Sequence, residues 1–119
     1  MAAIIPHTAK QIGDAGEELA VRHLVAHGVA VLARNFRVKG GEIDIVCRDG
    51  VTTVFVEVRK RASSSFGGAA YSITPTKQKR LILAARHWLA RHGDAACRFD
   101  CVLIDGETLE WIRNAFSAD

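Results

Sequence analysis

The chain has 119 residues, 49 % of them hydrophobic, and carries 16 Lys and Arg against 13 Asp and Glu for a net charge of +3. That is apolar enough to exclude a disordered chain and long enough for one core, so a single domain over residues 1–119 is expected. No apolar run approaches the ~18 residues that span a bilayer, and the first ten residues lack the basic-then-apolar pattern of a secretory signal, so a cytoplasmic protein without membrane contact is expected.

Residues 1–9 read as a loose N-terminal arm. Residues 10–26 are helical in pattern, with Ile12, Gly16, Leu19, Ala20 and His23 on one face. Glu18 points away from that face and can pair with Arg22 one turn on. Glu17 lies on the flank beside Ala20 and Leu24, where a carboxylate reaches the end of a sheet packed on the helix. Gly28 is the expected stop. Residues 29–37 alternate weakly and read as a first strand, and Gly40-Gly41 allows a turn or bulge into the next.

Two runs rich in β-branched residues, 41–47 and 51–59, flank Asp49-Gly50, a strong hairpin signal. With Asp49 and Gly50 as the two turn residues, Arg48 faces Val51, Asp44 faces Phe55 and Glu42 faces Glu57. Alternation then puts Glu42, Asp44, Glu57 and Arg59 on one face, with Asp44 and Glu57 diagonal neighbours about 7–8 Å apart. Such carboxylates repel unless a cation sits between them. A solvent-facing row of charges is the plain alternative, but like charges directly opposed destabilise a sheet. A divalent ion removes the difficulty, and carboxylate oxygens suit Mg²⁺ or Mn²⁺.

Residues 62–72 are rich in Ser and Gly and read as a flexible loop, either a connection or a substrate-contacting element. Thr74 is a candidate N-cap with Pro75 at the first helical position. The second helix runs to about His92, with Gly93 as its stop and Leu81, Ala84, Ala85, Trp88 and Leu89 as its core stripe. Lys77 and Gln78 lie on the side of that stripe but one turn earlier, over the end of the sheet. Lys79 and Arg80 point outward. Residues 98–104 and 108–113 read as two more strands joined at Asp105-Gly106. A crossover from the third strand through the second helix to the fourth is expected to be right-handed if those strands are parallel.

Cys47, Cys97 and Cys101 are odd in number and show no C-x-x-C spacing, so they read as reduced thiols, not as a zinc site or a disulfide framework. The five histidines form no ligand-like pair and read as surface or capping residues. The basic residues cluster: Arg59-Lys60-Arg61 and Lys77, Lys79 and Arg80 hold six of the sixteen. Basic patches bracketing an acidic hairpin fit a polyanionic partner.

The blocks Gly13-Asp14-Ala15-Gly16-Glu17, Arg34-Asn35, Gly41-Glu42-Ile43-Asp44, Phe55-Val56-Glu57-Val58-Arg59, Phe66-Gly67-Gly68, Lys77-Gln78, Arg98-Phe99-Asp100 and Asn114-Ala115-Phe116 occur in an order that resembles the PD-(D/E)XK nuclease superfamily. Within it the chain is most similar to the bacterial YraN-like family, itself similar to archaeal Holliday-junction resolvases. The resemblance implies an α/β, restriction-endonuclease-like fold, a mixed β-sheet flanked by helices in the order α-β-β-β-α-β-β. It implies Glu17, Asp44 and Glu57 as ligands of Mg²⁺ or Mn²⁺, with Arg59 at the position of the superfamily's lysine. It implies DNA as partner, branched or single-stranded forms included, and a homodimer by analogy with the resolvases; from the basic clusters, Arg61, Lys77, Gln78, Lys79 and Arg80 are the residues expected to meet that partner. Arg59 is the departure, since a guanidinium cannot act as a base but can stabilise charge and orient a phosphate. Three functions stay open on these residues: a metal-dependent endonuclease, a nucleic-acid-binding protein on a nuclease scaffold, and an interaction protein whose acidic face is incidental.

Overall fold

The computed structural model describes residues 9–60 and 73–118, with side chains in the first helix from residue 15 onward. The expected arm, Arg61 and the Ser- and Gly-rich loop at 62–72 lie outside the described residues. The chain runs α1 (Ala9–Ala26), β1 (Ala30–Val38), β2 (Gly41–Asp49), β3 (Thr52–Lys60), α2 (Pro75–His92), β4 (Cys97–Asp105) and β5 (Thr108–Phe116). This is the order expected from the sequence. The strands form one sheet in the order β1-β2-β3-β4-β5, antiparallel throughout except for the parallel pair β3 and β4. α2 makes that parallel connection.

α1 ends because Gly28 takes a φ of 84°. Its N–H donates to Val25 O at 3.0 Å, and Val29 N–H donates to Leu24 O at 3.1 Å. These two bonds satisfy carbonyls that the helix end would otherwise strand. The buried stripe of α1 is Gly16, Ala20 and Leu24, spaced four apart. Leu19, expected on that face, is 47 % exposed, while Ala20 and Leu24 are fully buried. Small Gly16 and Ala20 let the helix sit close to Ile104, and this contact outranks the apolarity of Leu19.

α2 begins and ends as its sequence dictates. Thr74 Oγ1 accepts Lys77 N–H at 3.2 Å, Pro75 sits inside the start, and Gly93, at φ 94°, donates its N–H to Leu89 O. The stripe of Leu81, Ala84, Ala85 and Trp88 packs with Ile43, Val46, Phe55, Phe99 and Leu103 on one face of the sheet. Ala20 and Leu24 of α1 pack with Ile45, Val54, Val56, Val102 and Ile104 on the other. Gly41 permits the closest approach, since a Cβ there would lie 2.5 Å from Arg80 O.

The hairpin register differs from the expectation. Asp49 pairs with Thr52, Val46 with Phe55 and Ile45 with Val56, so the turn residues are Gly50-Val51, not Asp49-Gly50. Gly50 alone of that pair has a positive φ, 62°. A turn with glycine first needs only that one left-handed residue, and β-branched Val51 then avoids a conformation it tolerates poorly. The second hairpin repeats the arrangement: Asp105 pairs with Thr108, and Gly106 has a φ of 61°. The register has slipped by two residues, which by itself keeps the paired side chains from Ile45 to Asp49 on their faces. Glu42 is therefore not opposite Glu57. It pairs with Arg37 of β1, with a 3.6 Å ion contact.

β5 runs three residues past its expected end at Arg113. Asn114 there takes a left-handed φ of 54°, and the pairing with β4 shifts between Phe99 and Cys101. Asp100, 1 % exposed, repairs the interruption. Its carboxylate accepts Asn114 N–H at 2.9 Å, Trp111 Nε1–H at 2.9 Å and Arg98 Nε–H at 3.0 Å.

Candidate active site

The β2–β3 ladder ends at Ile45 and Val56. One step further on come Asp44 and Glu57, past the end of that ladder, where β3 continues beside β4. The end of this ladder leaves a backbone donor for a side chain: Val58 N–H donates to Asp44 Oδ2 at 2.8 Å. Glu57 is 4 % exposed. Burial, then the charge of Glu57, push the Asp44 carboxyl up to about 7, against the lowering effect of the Val58 bond. The polar contact with the Glu57 side chain raises Asp44 further. Two carboxyl groups thus crowd one partly dry position, and only one holds its charge comfortably there.

A cation answers them from α2. Lys77, in the first turn, places Nζ 2.6 Å from Glu57 Oε2. The Lys77 side chain is half exposed, so the ammonium bridges solvent and the buried carboxylate. Arg80 Nη2 lies 3.9 Å from Glu42 Oε1. A small cavity of about 30 Å³ is lined by Glu42, Glu57, Lys77, Arg80 and Leu81. Beneath lies Cys101, level with Glu57 on β4 and fully buried. Burial and then Glu57 push its thiol up to about 12, while Arg59 and Lys77 pull the other way, so these charges surround one point.

The other residues singled out in the sequence are placed as follows. Glu17 faces the sheet from α1, and its charge also raises Asp44. Its Oε1 lies 3.9 Å from Arg34 Nη2. Glu18 keeps the expected Arg22 contact at 3.4 Å and adds Arg34 at 3.0 Å. Arg59 is half-buried on β3, beside Leu103. Gln78 donates its amide to Ile73 O at 2.8 Å, which ties the helix start. Lys79 is exposed. Among the described residues, no three carboxylate, imidazole or thiol side chains stand close enough together to hold an ion by themselves. The Val58 amide, the level placement of Cys101 and the Arg34 contacts were not read from the sequence. Only Arg34 had a signal, in its place within a family block.

The largest cavity described, about 480 Å³, is elsewhere. It is lined by residues such as Arg48, Thr53, Trp88, His92 and Asp94, at the start of β3 and the end of α2. Glu57 and Lys77 lie at the other ends of those elements. Size does not locate the chemistry here: the convergent charges are at the small cavity.

The structure of Archaeoglobus fulgidus Hjc, a Holliday junction resolvase, superposes with a TM-score of 0.59 over 85 % of this chain and 76 % of that one, at 17 % identity. The chain belongs to the family described as "Uncharacterised protein family UPF0102", whose model matches residues 16–104. A UPF0102 protein of Dechloromonas aromatica is 60 % identical over 90 % of this chain and 89 % of its own length. The UPF0102 protein YraN of Shigella flexneri is 50 % identical over 92 % and 87 %. The resemblance read from the sequence blocks is therefore borne out at the level of family and fold. Among the described residues no helix is long and apolar enough to cross a membrane.

Proposed function

We propose that this chain is a metal-dependent endonuclease that binds DNA in the cytoplasm and hydrolyses phosphodiester bonds, with branched or single-stranded DNA as its first candidates. One observation carries the reading: buried Glu57 and partly buried Asp44 crowd each other where β2 and β3 part, with a lysine ammonium 2.6 Å from Glu57. A solvated row of surface charges has no need of that arrangement.

The donor set fits a hard divalent ion. Mg²⁺ is commonly bound by one or two carboxylates, with water and substrate phosphates completing its shell. Asp44 and Glu57 would supply the two carboxylates, and Glu17 would complete the site directly or through water. A bound ion would supply positive charge for the transition state and acidify an attacking water. The chain's own residues do the rest. Val58 N–H fixes one Asp44 oxygen, so the carboxylate keeps its orientation. Arg59 holds the scissile phosphate and stabilises its developing charge, since a guanidinium cannot act as a base. Lys77, Lys79, Arg80, Arg61 and Gln78 would meet the flanking backbone.

The presence of Arg59 where the superfamily has lysine favours a second reading, a DNA-binding protein on a nuclease scaffold with little hydrolysis. One experiment separates the two. Linear, flapped and four-way DNA are incubated with Mg²⁺ or Mn²⁺ beside an Asp44→Ala control. Cleavage that Asp44→Ala abolishes is expected. Binding without cleavage under either metal leaves the second reading, and cleavage by Asp44→Ala at the wild-type rate removes the carboxylates from the chemistry.

A further inference from the structure

The Lys77–Glu57 pair has a peculiarity as an ordinary ion pair. A cation in the first turn of a helix opposes the helix dipole, and α2 has no acidic residue in that turn to offset it. The position instead makes sense from the side of Glu57. A carboxylate only 6 % exposed along its side chain is costly to keep charged without a partner, and Lys77 Nζ at 2.6 Å is that partner. Asp44 does not offer a countercharge, since it is a second acid at the same position. The backbone of Lys77 is held by the Thr74 cap while its side chain is half exposed, so the ammonium can swing without moving the helix. Beside it lies the cavity of about 30 Å³, with Glu42 on its wall as an alternative anion. That volume takes a water or a small ion.

We propose that Lys77 and the divalent ion are alternative occupants of Glu57, so that the lysine is the counter-cation of the metal-free site and is released when the ion enters. This rests on the metal reading above and adds a regulation to it. Two cations on one carboxylate repel strongly at such distances in a partly dry site, so entry of the ion and departure of the ammonium are coupled. The released ammonium then lies at the mouth of the site, where a DNA phosphate is the natural acceptor. Ion and DNA therefore favour each other: DNA takes up the lysine that the ion expels. The ion is held weakly by the free protein and firmly only with substrate in place.

The test is a Mn²⁺ titration without DNA, followed by the paramagnetic signal of free Mn²⁺, on wild type, Lys77→Met and Asp44→Asn. Lys77→Met is expected to bind Mn²⁺ about tenfold tighter or more, whereas Asp44→Asn loses binding. Equal or weaker affinity in Lys77→Met, with Asp44→Asn still deficient, overturns the exchange and leaves the metal site standing. Asp44→Asn that binds like wild type overturns the metal reading itself. Because Lys77→Met also strips Glu57 of its partner, the wild-type chain supplies an independent measurement. Acetylation by an amine-reactive reagent, read by mass spectrometry against Lys39 and Lys79, is expected to rise several-fold at Lys77 when Mg²⁺ is added. Unchanged labelling of Lys77 at a Mg²⁺ concentration shown to be bound overturns the proposal.

Discussion

Asp44 is a carboxyl group held between two states. Burial and the Glu57 charge raise it from 3.8 to about 7, so the folded protein binds its proton more tightly than the unfolded chain does. The sign of the consequence follows from linkage. The stabilising contribution of the protonated group is complete below about pH 4 and is lost as pH rises through about 7. In chelator, thermal stability is expected to fall across that window by an amount on the order of a few kcal/mol. Asp44→Asn, which keeps the shape without the titration, should flatten that fall, and an unchanged pH profile in the variant would place its origin elsewhere. Arg59 is the second residue on which the chemistry turns. If it stabilises transition-state charge, Arg59→Ala should lose about 10²–10³ in single-turnover rate. Arg59→Lys should keep activity or raise it, because lysine supplies the charge and can also give up a proton. The losses belong in turnover more than in DNA affinity, since that charge develops mainly in the transition state. Arg59→Ala cleaving as fast as wild type would end its role.

The site exists because two elements meet at a residue with no side chain. Gly41 lets β2 pass under α2, where Arg80 O would be 2.5 Å from any Cβ. Gly41→Ala must push the start of α2 away, and with it Lys77 and Arg80. An overpacking cost of roughly 1–3 kcal/mol is expected in denaturant unfolding. Activity should fall by more than that loss of fold explains, because Lys77 leaves Glu57. Wild-type stability in Gly41→Ala would show that α2 can retreat without strain. The sequence showed Gly40-Gly41 as a turn signal, and Gly40 does take a φ of 85°, but the use of Gly41 depends on an element thirty-odd residues later and has no local trace. The hairpin teaches the same distinction. Two β-branched runs around Asp-Gly located β2 and β3, yet the turn centre depended on which residue carries positive φ, and a local motif allows more than one answer. Asp44 and Glu57 still come together just beyond the last β2–β3 pair, where the charge of Glu57 acts on Asp44. Leu19 and the end of β5 misled for a different reason. Both reflect tertiary contacts, Gly16 and Ala20 against the sheet in one case and the buried Asp100 carboxylate mending a bulge in the other, and these override local pattern.

At the scale of the whole molecule, the charges divide by place. The acids of the site lie at one end of the sheet, inside, and the exposed Lys79 and Arg80 stand on the first turns of α2 above them. A net charge of +3 is too small to hold DNA by the general field alone, so affinity should depend on which cations touch phosphate. Each lost contact should reduce the slope of log K against log salt by roughly one. Lys79→Ala, Arg80→Ala and Arg61→Ala are expected to do so with or without a divalent ion. Lys77→Ala should behave differently. In chelator its ammonium is committed to Glu57, so its removal should change the slope little. With an ion such as Ca²⁺ that supports binding, its removal should cost a full contact. The measurement is fluorescence anisotropy of labelled four-way and linear DNA over a salt series, in chelator and in Ca²⁺. A Lys77 effect of the same size in both would mean that the lysine reaches phosphate without leaving Glu57. Loss of all four charges with no change in affinity or slope would mean that this end of the molecule is ordinary solvated surface, and the buried acid pair would then have no DNA presented to it by these residues.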